Sequence, residues 1–287
     1  MVNRKVVEVI EPIYVMEGAG VRLRRSIATQ KLDYLDPFLL FDHFGSNNPE
    51  NYLAGFPMHP HRGIETVTYI LDGLVEHKDS MGNSGIIGKD DVQWMTSGSG
   101  IIHEEMPKPK NGNMEGFQLW VNLPANLKMT NPRYQEVKSS QIPEIHHKDG
   151  VVIKIIAGEI DGVKGAVTEI YADPTYLDVT IPPGSTFKQP IKHDHTAFAY
   201  VFEGEANFGD FDEESIDNGT FVNATKLLIY GDGDHIKVKT DKSFVRFLLI
   251  SGKSLNEPIA RYGPFVMNTT KEIEQALKDL QNGTFVK

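Results

Sequence analysis

Glu65-Thr-Val-Thr-Tyr-Ile-Leu-Asp-Gly73 aligns without gaps on Thr196-Ala-Phe-Ala-Tyr-Val-Phe-Glu-Gly204. Both copies carry an apolar alternation around a tyrosine and end in an acid and a glycine, the pattern of a strand running into a turn. A unit that recurs in both halves of a chain predicts two copies of one β-fold. Gly98-Ser-Gly100 before His103, and Gly231-Asp-Gly233 before His235, echo each other in the same order.

Outward from the repeat, further strand-like runs read Val6–Ile10, Phe117–Asn122, Val151–Ala157, Tyr176–Ile181, Lys226–Tyr230 and Phe244–Ile250, mostly bounded by Gly, Pro, Asp or Asn. The fold class is therefore all-β, two sandwiches or barrels in tandem. The C-terminus departs from it. Thr269-Thr-Lys-Glu272 is a capping box, and Ile273, Ala276, Leu277 and Leu280 recur at helical spacing before Asn282-Gly283, which predicts one amphipathic helix. Residues 123–148 hold Pro124, Pro132 and Pro143 with no sustained period and read as the connection between halves. This places the domains at 1–135 and 136–287, with the helix in the second.

With 287 residues the chain can bury roughly three quarters of its unfolded surface without staples. It has no cysteine, which excludes disulfides, thiolate nucleophiles and iron–sulfur clusters and leaves histidine, carboxylate and hydroxyl chemistry. Asp and Glu outnumber Lys and Arg by 39 to 29, and the net charge of -10 repels a phosphate backbone, so no direct nucleic-acid partner is expected. No signal-peptide core and no apolar stretch of membrane-spanning length stands out, so a soluble cytoplasmic protein is expected, with a nuclear fraction if the source is eukaryotic.

The chemistry sits in the first half. His59 and His61 flank one proline, and His103-Glu104-Glu105 follows. Strand residues two apart share a face, so His59 with His61, and His103 with Glu105, can present four ligands to one divalent metal. The same parity turns Glu104 away. Pro60 cannot donate to a ladder and puts its segment at an edge or a bulge. A lone His-x-His is more often a hydrogen-bonded surface pair, but two such pairs around a repeated strand favour metal. Three imidazoles and a carboxylate with open positions suit iron(II), and zinc, manganese, nickel or copper fit the same donors.

Pro57-Met-His-Pro-His-Arg-Gly-Ile-Glu-Thr-Val-Thr-Tyr69 and Asp91-Val-Gln-Trp-Met-Thr-Ser-Gly-Ser-Gly-Ile-Ile-His-Glu-Glu-Met-Pro107 strongly resemble the pirin family of the cupin superfamily. Phe38-Leu-Leu-Phe-Asp-His43, Phe117-Gln-Leu-Trp-Val-Asn-Leu-Pro124, Tyr200-Val-Phe-Glu-Gly204 and Gly263-Pro-Phe-Val-Met-Asn-Thr269 extend the resemblance over nearly the whole chain. It implies two cupin β-barrels with a metal, usually iron, in the N-terminal one, held by His59, His61, His103 and Glu105. Glu65, four residues after His61, stands where many cupins hold a carboxylate ligand and is the runner-up. The second half is expected to be metal-free, although it contains His193-Asp-His195 and His235, because those histidines fall out of step with His59 and His61 in the repeat.

Some pirins resemble flavonol-cleaving cupins. The resemblance then implies an iron(II)-dependent dioxygenase of the quercetin 2,3-dioxygenase type, with a chelating phenol and O2 as substrates and Glu105 as ligand or general base. Other pirins resemble regulators, which implies a redox-sensitive protein binding a transcription factor or metabolic enzyme. A metal held only for stability ranks third. Arg62 reads as an anion-binding group or a structural salt bridge, Trp94 and Trp120 as core, Arg22-Leu-Arg-Arg25 as a short surface cluster and Asp210–Glu214 as a solvated loop. His43, His146 and His147 belong to no ligand group, and His77 near Asp79 is the one expected to approach the site.

Overall fold

A computed structural model describes residues 2–108, 112–211 and 219–287; the acids at 212–214 lie outside these. The predicted strands are present. The repeat becomes the strands Ile64–Asp72 and His195–Phe208, each central in its own sheet. Ile64–Asp72 pairs with Val92–Thr96 and Met114–Asn122, and His195–Phe208 pairs with Lys226–Tyr230 and Val245–Lys253. The repeated glycines have a steric cause. Gly73 (φ +88°) and Gly204 (φ +71°) turn through the left-handed region, and a Cβ on either would collide with backbone, the Asn113 carbonyl in one case and the Phe244 carbonyl in the other.

The chain forms two compact units, and their composition corrects the division at 135/136. One unit comprises Met1–Pro12, Ile142–Glu169 and Asp173–Ser254; the other comprises Ile13–Gln141, Ile170–Ala172 and Leu255–Lys287. The terminal segments thus exchange halves. Strand Val6–Ile10 pairs with Lys226–Tyr230 of the second-half unit, and the C-terminal helix belongs to the first-half unit. Residues 133–137, read as connection, form a strand on Val92–Thr96.

The second-half unit is closed around one apolar core in which Ile155, Leu177, Val179, Ala199, Phe247 and Leu249 are all fully buried. In the first-half unit a seven-stranded sheet carries Ile64–Asp72 and a four-stranded sheet carries the histidine segments. The helix, Thr270–Gln281, starts at the expected capping box: the Thr269 hydroxyl accepts from the Glu272 N–H and the Glu272 carboxylate accepts from the Thr269 N–H. Ile273 and Ala276 are buried beside Phe265, Met267 and Phe285, whereas Leu280 is only partly covered.

Two buried cations tie this tail to the histidine-bearing strands. Arg62, 1 % exposed, donates from Nη1 to Asp279 of the helix at 2.7 Å, from Nε to the Ser99 carbonyl at 2.6 Å, and lies over the Phe285 ring. Of its two sequence readings, the structural salt bridge is the one observed. Lys128 donates its ammonium to the carbonyls of Gly63 and Val266 and to Asn122 Oδ1. These three acceptors are all uncharged, and burial lowers its pKa to about 8.

Candidate metal centre

Strand Phe56–His61 is an edge strand of the four-stranded sheet, as a segment with two prolines must be. It pairs with Ile101–Lys108, setting His59 opposite His103 and His61 opposite Ile101. Between His103 and Glu105 the register slips, so that Glu105 faces Phe56 across a bulge. The proline segment is therefore both edge and bulge.

His59, His61 and His103 come together. Their ring centroids are 4.4 to 5.0 Å apart, and one ligand atom from each lies within 4.8 Å of the others. His61 and His103 are buried, and burial, joined by the repulsion of neighbouring imidazoles, holds both well below the usual histidine pKa. They are thus neutral, the form that ligates a metal. His61 Nδ1 and His103 Nε2 are buried with no hydrogen-bond partner, which costs about 1–3 kcal/mol each unless something meets the lone pair. His59 Nδ1 lies 2.9 Å from the Pro57 carbonyl; its N–H donates there, which leaves Nε2 as the lone-pair nitrogen. Three convergent imidazoles, two of them with a buried partnerless nitrogen, are a donor set that fits a divalent transition metal.

Glu105 is 7 % exposed and lines the same cavity, outside the three-histidine group. Its Oε1 lies 2.8 Å from the Thr68 hydroxyl, which is also 2.7 Å from Gln118 Oε1 and has one hydrogen to give. Glu104 points to the other face, toward Lys78 at 3.8 Å. Glu65 is excluded as a ligand by the same parity argument. Thr68 faces the cavity, so Glu65, three residues earlier, faces away; it accepts from Thr96 at 2.7 Å and from the Tyr171 N–H at 3.4 Å. Burial pushes its carboxyl up to about 7.

The cavity beside the histidines measures about 510 Å³, within the range usual for small-molecule sites. Trp120, expected in the core, stands in its wall, edge-on to His61 at 5.1 Å; Trp94 is core. Sequence reasoning misses the polar end of the wall. Arg25 clasps Asp42 through Nε and Nη2 at 2.8 and 2.7 Å and reaches Glu17 at 2.6 Å, while the Arg261 guanidinium lies 5.2 Å from the Trp120 ring centre. Burial raises the Asp42 carboxyl to about 6 against the pull of Arg25. The one signal that could have found it is the arginine cluster at 22–25. Its members Arg22 and Arg24 stack on Tyr14, and Arg25 turns to the cavity.

The histidines of the second half do not converge. His193 pairs with Asp234 at 2.9 Å, and His195 lies 3.3 Å from Asp173. His235 stands opposite Pro190 at the start of its strand. Elsewhere, His43 contacts Glu115 at 3.0 Å, and His77 approaches His103, as expected.

Residues 20–121 match the pirin family and residues 176–286 match the pirin C-terminal cupin domain. The chain belongs to the pirin family. It is 41 % identical over 283 residues to a pirin-like protein of Caulobacter vibrioides, covering 98 % of this chain and 99 % of that one. It is also 41 % identical to a Pseudomonas aeruginosa protein whose name provisionally assigns it as a quercetin 2,3-dioxygenase, over 93 % of each chain. The crystal structure of an Acinetobacter baumannii quercetin 2,3-dioxygenase superposes with a TM-score of 0.87 at 34 % identity, over 98 % of both chains. This pirin is therefore a bicupin, mostly β with one C-terminal helix, and no helix among the described residues is long and apolar enough to cross a membrane.

Proposed function

We propose that this pirin is an iron(II)-dependent dioxygenase acting on chelating phenols of the flavonol type, quercetin being the working example. The observation that carries the reading is the pair of buried, partnerless nitrogens of His61 and His103, converging with His59 at the wall of a largely apolar cavity. Two relatives named as quercetin 2,3-dioxygenases, one of them provisionally, support it.

His59, His61 and His103 would hold the metal, with Glu105 beside them as a fourth ligand. The metal supplies a Lewis acid and a template for a deprotonated phenol and O2. Trp120, Leu40, Phe44 and Phe56 offer apolar surface to a planar ring system and exclude water from it. Glu105, which lies outside the three-histidine group, would accept the proton of an incoming substrate hydroxyl at a carboxylate oxygen. Thr68 steadies that carboxylate through its hydroxyl, 2.8 Å from Oε1. Arg25, Asp42 and Arg261 give the far wall its hydrogen-bonding groups for the remaining substrate hydroxyls.

The test is oxygen uptake by anaerobically iron(II)-loaded protein on adding quercetin, beside a folded His59→Ala/His61→Ala variant. The reading expects uptake with loss of flavonol absorbance in the wild type and neither in the variant. No uptake by protein shown to hold one iron sinks the dioxygenase and leaves a metal-dependent binding role.

A further inference from the structure

A row of buried polar groups leads away from His103, and the three-histidine cluster does not account for it. Strand Leu74–Asp79 pairs with the ligand strand so that Asp79 lies opposite His103 and His77 opposite Glu105. The side chains of His77 and Asp79 are fully buried, and Gln93 is 1 % exposed. His77 Nδ1 lies 3.4 Å from His103 Nδ1 and 3.0 Å from Gln93 Nε2, and His77 Nε2 lies 3.3 Å from Asp79 Oδ2. Asp79 is fixed in turn by the Asn83 side chain at 2.8 Å and by the N–H groups of Met81 and Asn83 at 2.9 and 3.0 Å.

These contacts order the hydrogens in one direction. The Gln93 amide nitrogen donates, so His77 Nδ1 is an acceptor and the His77 hydrogen sits on Nε2, aimed at Asp79. An acceptor at His77 Nδ1 makes His103 Nδ1 the donor across the 3.4 Å gap. The lone pair of His103 is then on Nε2, the nitrogen that is buried without a partner. The contacts His103–His77–Asp79 thus run from the candidate ligand toward Asp79, with the Gln93 amide sharing the single lone pair of His77 Nδ1.

We propose that His77, held by Asp79 and Gln93, is a positioning residue that fixes the tautomer and ring plane of His103 and so presents its Nε2 to the metal. The proposal rests on the reading of His59, His61 and His103 as ligands. An imidazole that accepts the ligand's N–H and donates its own N–H to a carboxylate does the work usually done by a carboxylate directly, and losing such an outer partner typically costs 10–100-fold in metal affinity.

The competing role is packing, because the His77 ring also stacks on Tyr134 with centroids 4.6 Å apart at 21°. Two variants separate the roles. His77→Asn puts an amide oxygen where Nδ1 stood, keeping the acceptor and losing the ring; His77→Phe keeps the ring and loses the acceptor. The measurement is an anaerobic titration of the full-length, metal-free protein with cobalt(II), read by chelator competition and by the ligand-field absorption bands. The melting temperature of each metal-free variant is recorded alongside.

The expected result is a roughly 10–100-fold loss of cobalt affinity and shifted bands in His77→Phe, with His77→Asn closer to wild type although its metal-free fold is the less stable. Wild-type cobalt binding in His77→Phe, or equal losses in both variants, overturns the positioning role. If His77→Phe does not fold, Gln93→Leu decides: it removes the donor that makes His77 Nδ1 an acceptor, and unchanged cobalt affinity there also overturns the proposal. Loss of cobalt in His59→Ala/His61→Ala but not in His77→Phe would leave the ligand reading standing and this one fallen. No cobalt binding by the wild type would remove both.

Discussion

Where the first cupin domain sets His59 opposite His103, the second sets Lys188 opposite Lys237. The equivalence follows from the ladders. His61 pairs with Ile101 as Pro190 pairs with His235, and in each domain the second strand of the pair starts five residues after its predecessor ends, at 96 and 101 in one and at 230 and 235 in the other. Lys237, 4 % exposed, donates its ammonium to the Phe211 carbonyl at 2.8 Å and lies over the Phe211 ring. One barrel thus turns imidazoles toward a cavity, whereas the other fills its interior from the same pair of strands with Phe187, Ile236 and Val238 and carries its lysines on the opposite face. The same scaffold serves both, which is why the chemistry has to be argued from side chains rather than from the fold.

Moving residues between the domains tests this contrast. His103→Lys puts the second domain's residue into the first, replacing a lone pair with an ammonium. Metal affinity should fall by more than the roughly 100-fold ceiling for losing an outer partner, as measured by equilibrium dialysis against cobalt(II). The reverse exchange, Lys188→His with Lys237→His, should add a second, weaker cobalt equivalent per chain to the same dialysis curve; an unchanged stoichiometry would mean that more than side-chain identity separates the domains.

Glu65 and its repeat partner Thr196 give a smaller difference. Thr196 hydrogen-bonds the Ser254 hydroxyl at 2.8 Å, whereas Glu65 is a buried carboxyl whose pKa rises from 4.5 to about 7, chiefly through desolvation. Its folded pKa lies above its unfolded one, so the native state holds the proton more tightly. The stability this contributes is complete below pH 4.5 and is lost as pH rises through about 7. Glu65→Gln should flatten the melting temperature across that window and stabilise the protein above it, on the order of 3 kcal/mol. Thr269→Ala is the smallest change. It removes one half of the capping box from the C-terminal helix of the first-half unit, and thermal melts should show a loss of about 1 kcal/mol.

Much of this is legible in the sequence because the signals are local. The strand repeat at 65 and 196, the capping box at 269 and the shared face of His59 with His61 each depend on residues within one element. Strand parity alone also separates Glu105 from Glu104. What escapes is long-range. Nothing near Val6–Ile10 reveals that it pairs with 226–230, and nothing near Asp279 reveals that it meets Arg62, so local reading puts the terminal segments in the wrong halves. Glu65 fits the spacing of a cupin ligand, but the pleat turns it to the opposite face from Thr68. His235 misleads for a similar reason: the glycine echo aligns it with His103, whereas the ladder gives that position to Lys237. The cavity wall of Arg25, Asp42 and Arg261 joins three distant segments, and no short motif announces such a site.

The central claim is that one metal sits in the first domain and depends on its three histidines. The most direct measurement is metal content by elemental analysis after anaerobic reconstitution with iron(II) and gel filtration, on the wild type, on His59→Ala/His103→Ala, and on Lys188→Ala/Lys237→Ala. The account predicts one iron per chain in the wild type and the lysine variant and essentially none in the histidine variant. Iron retained without His59 and His103, or lost with the lysines, would contradict it.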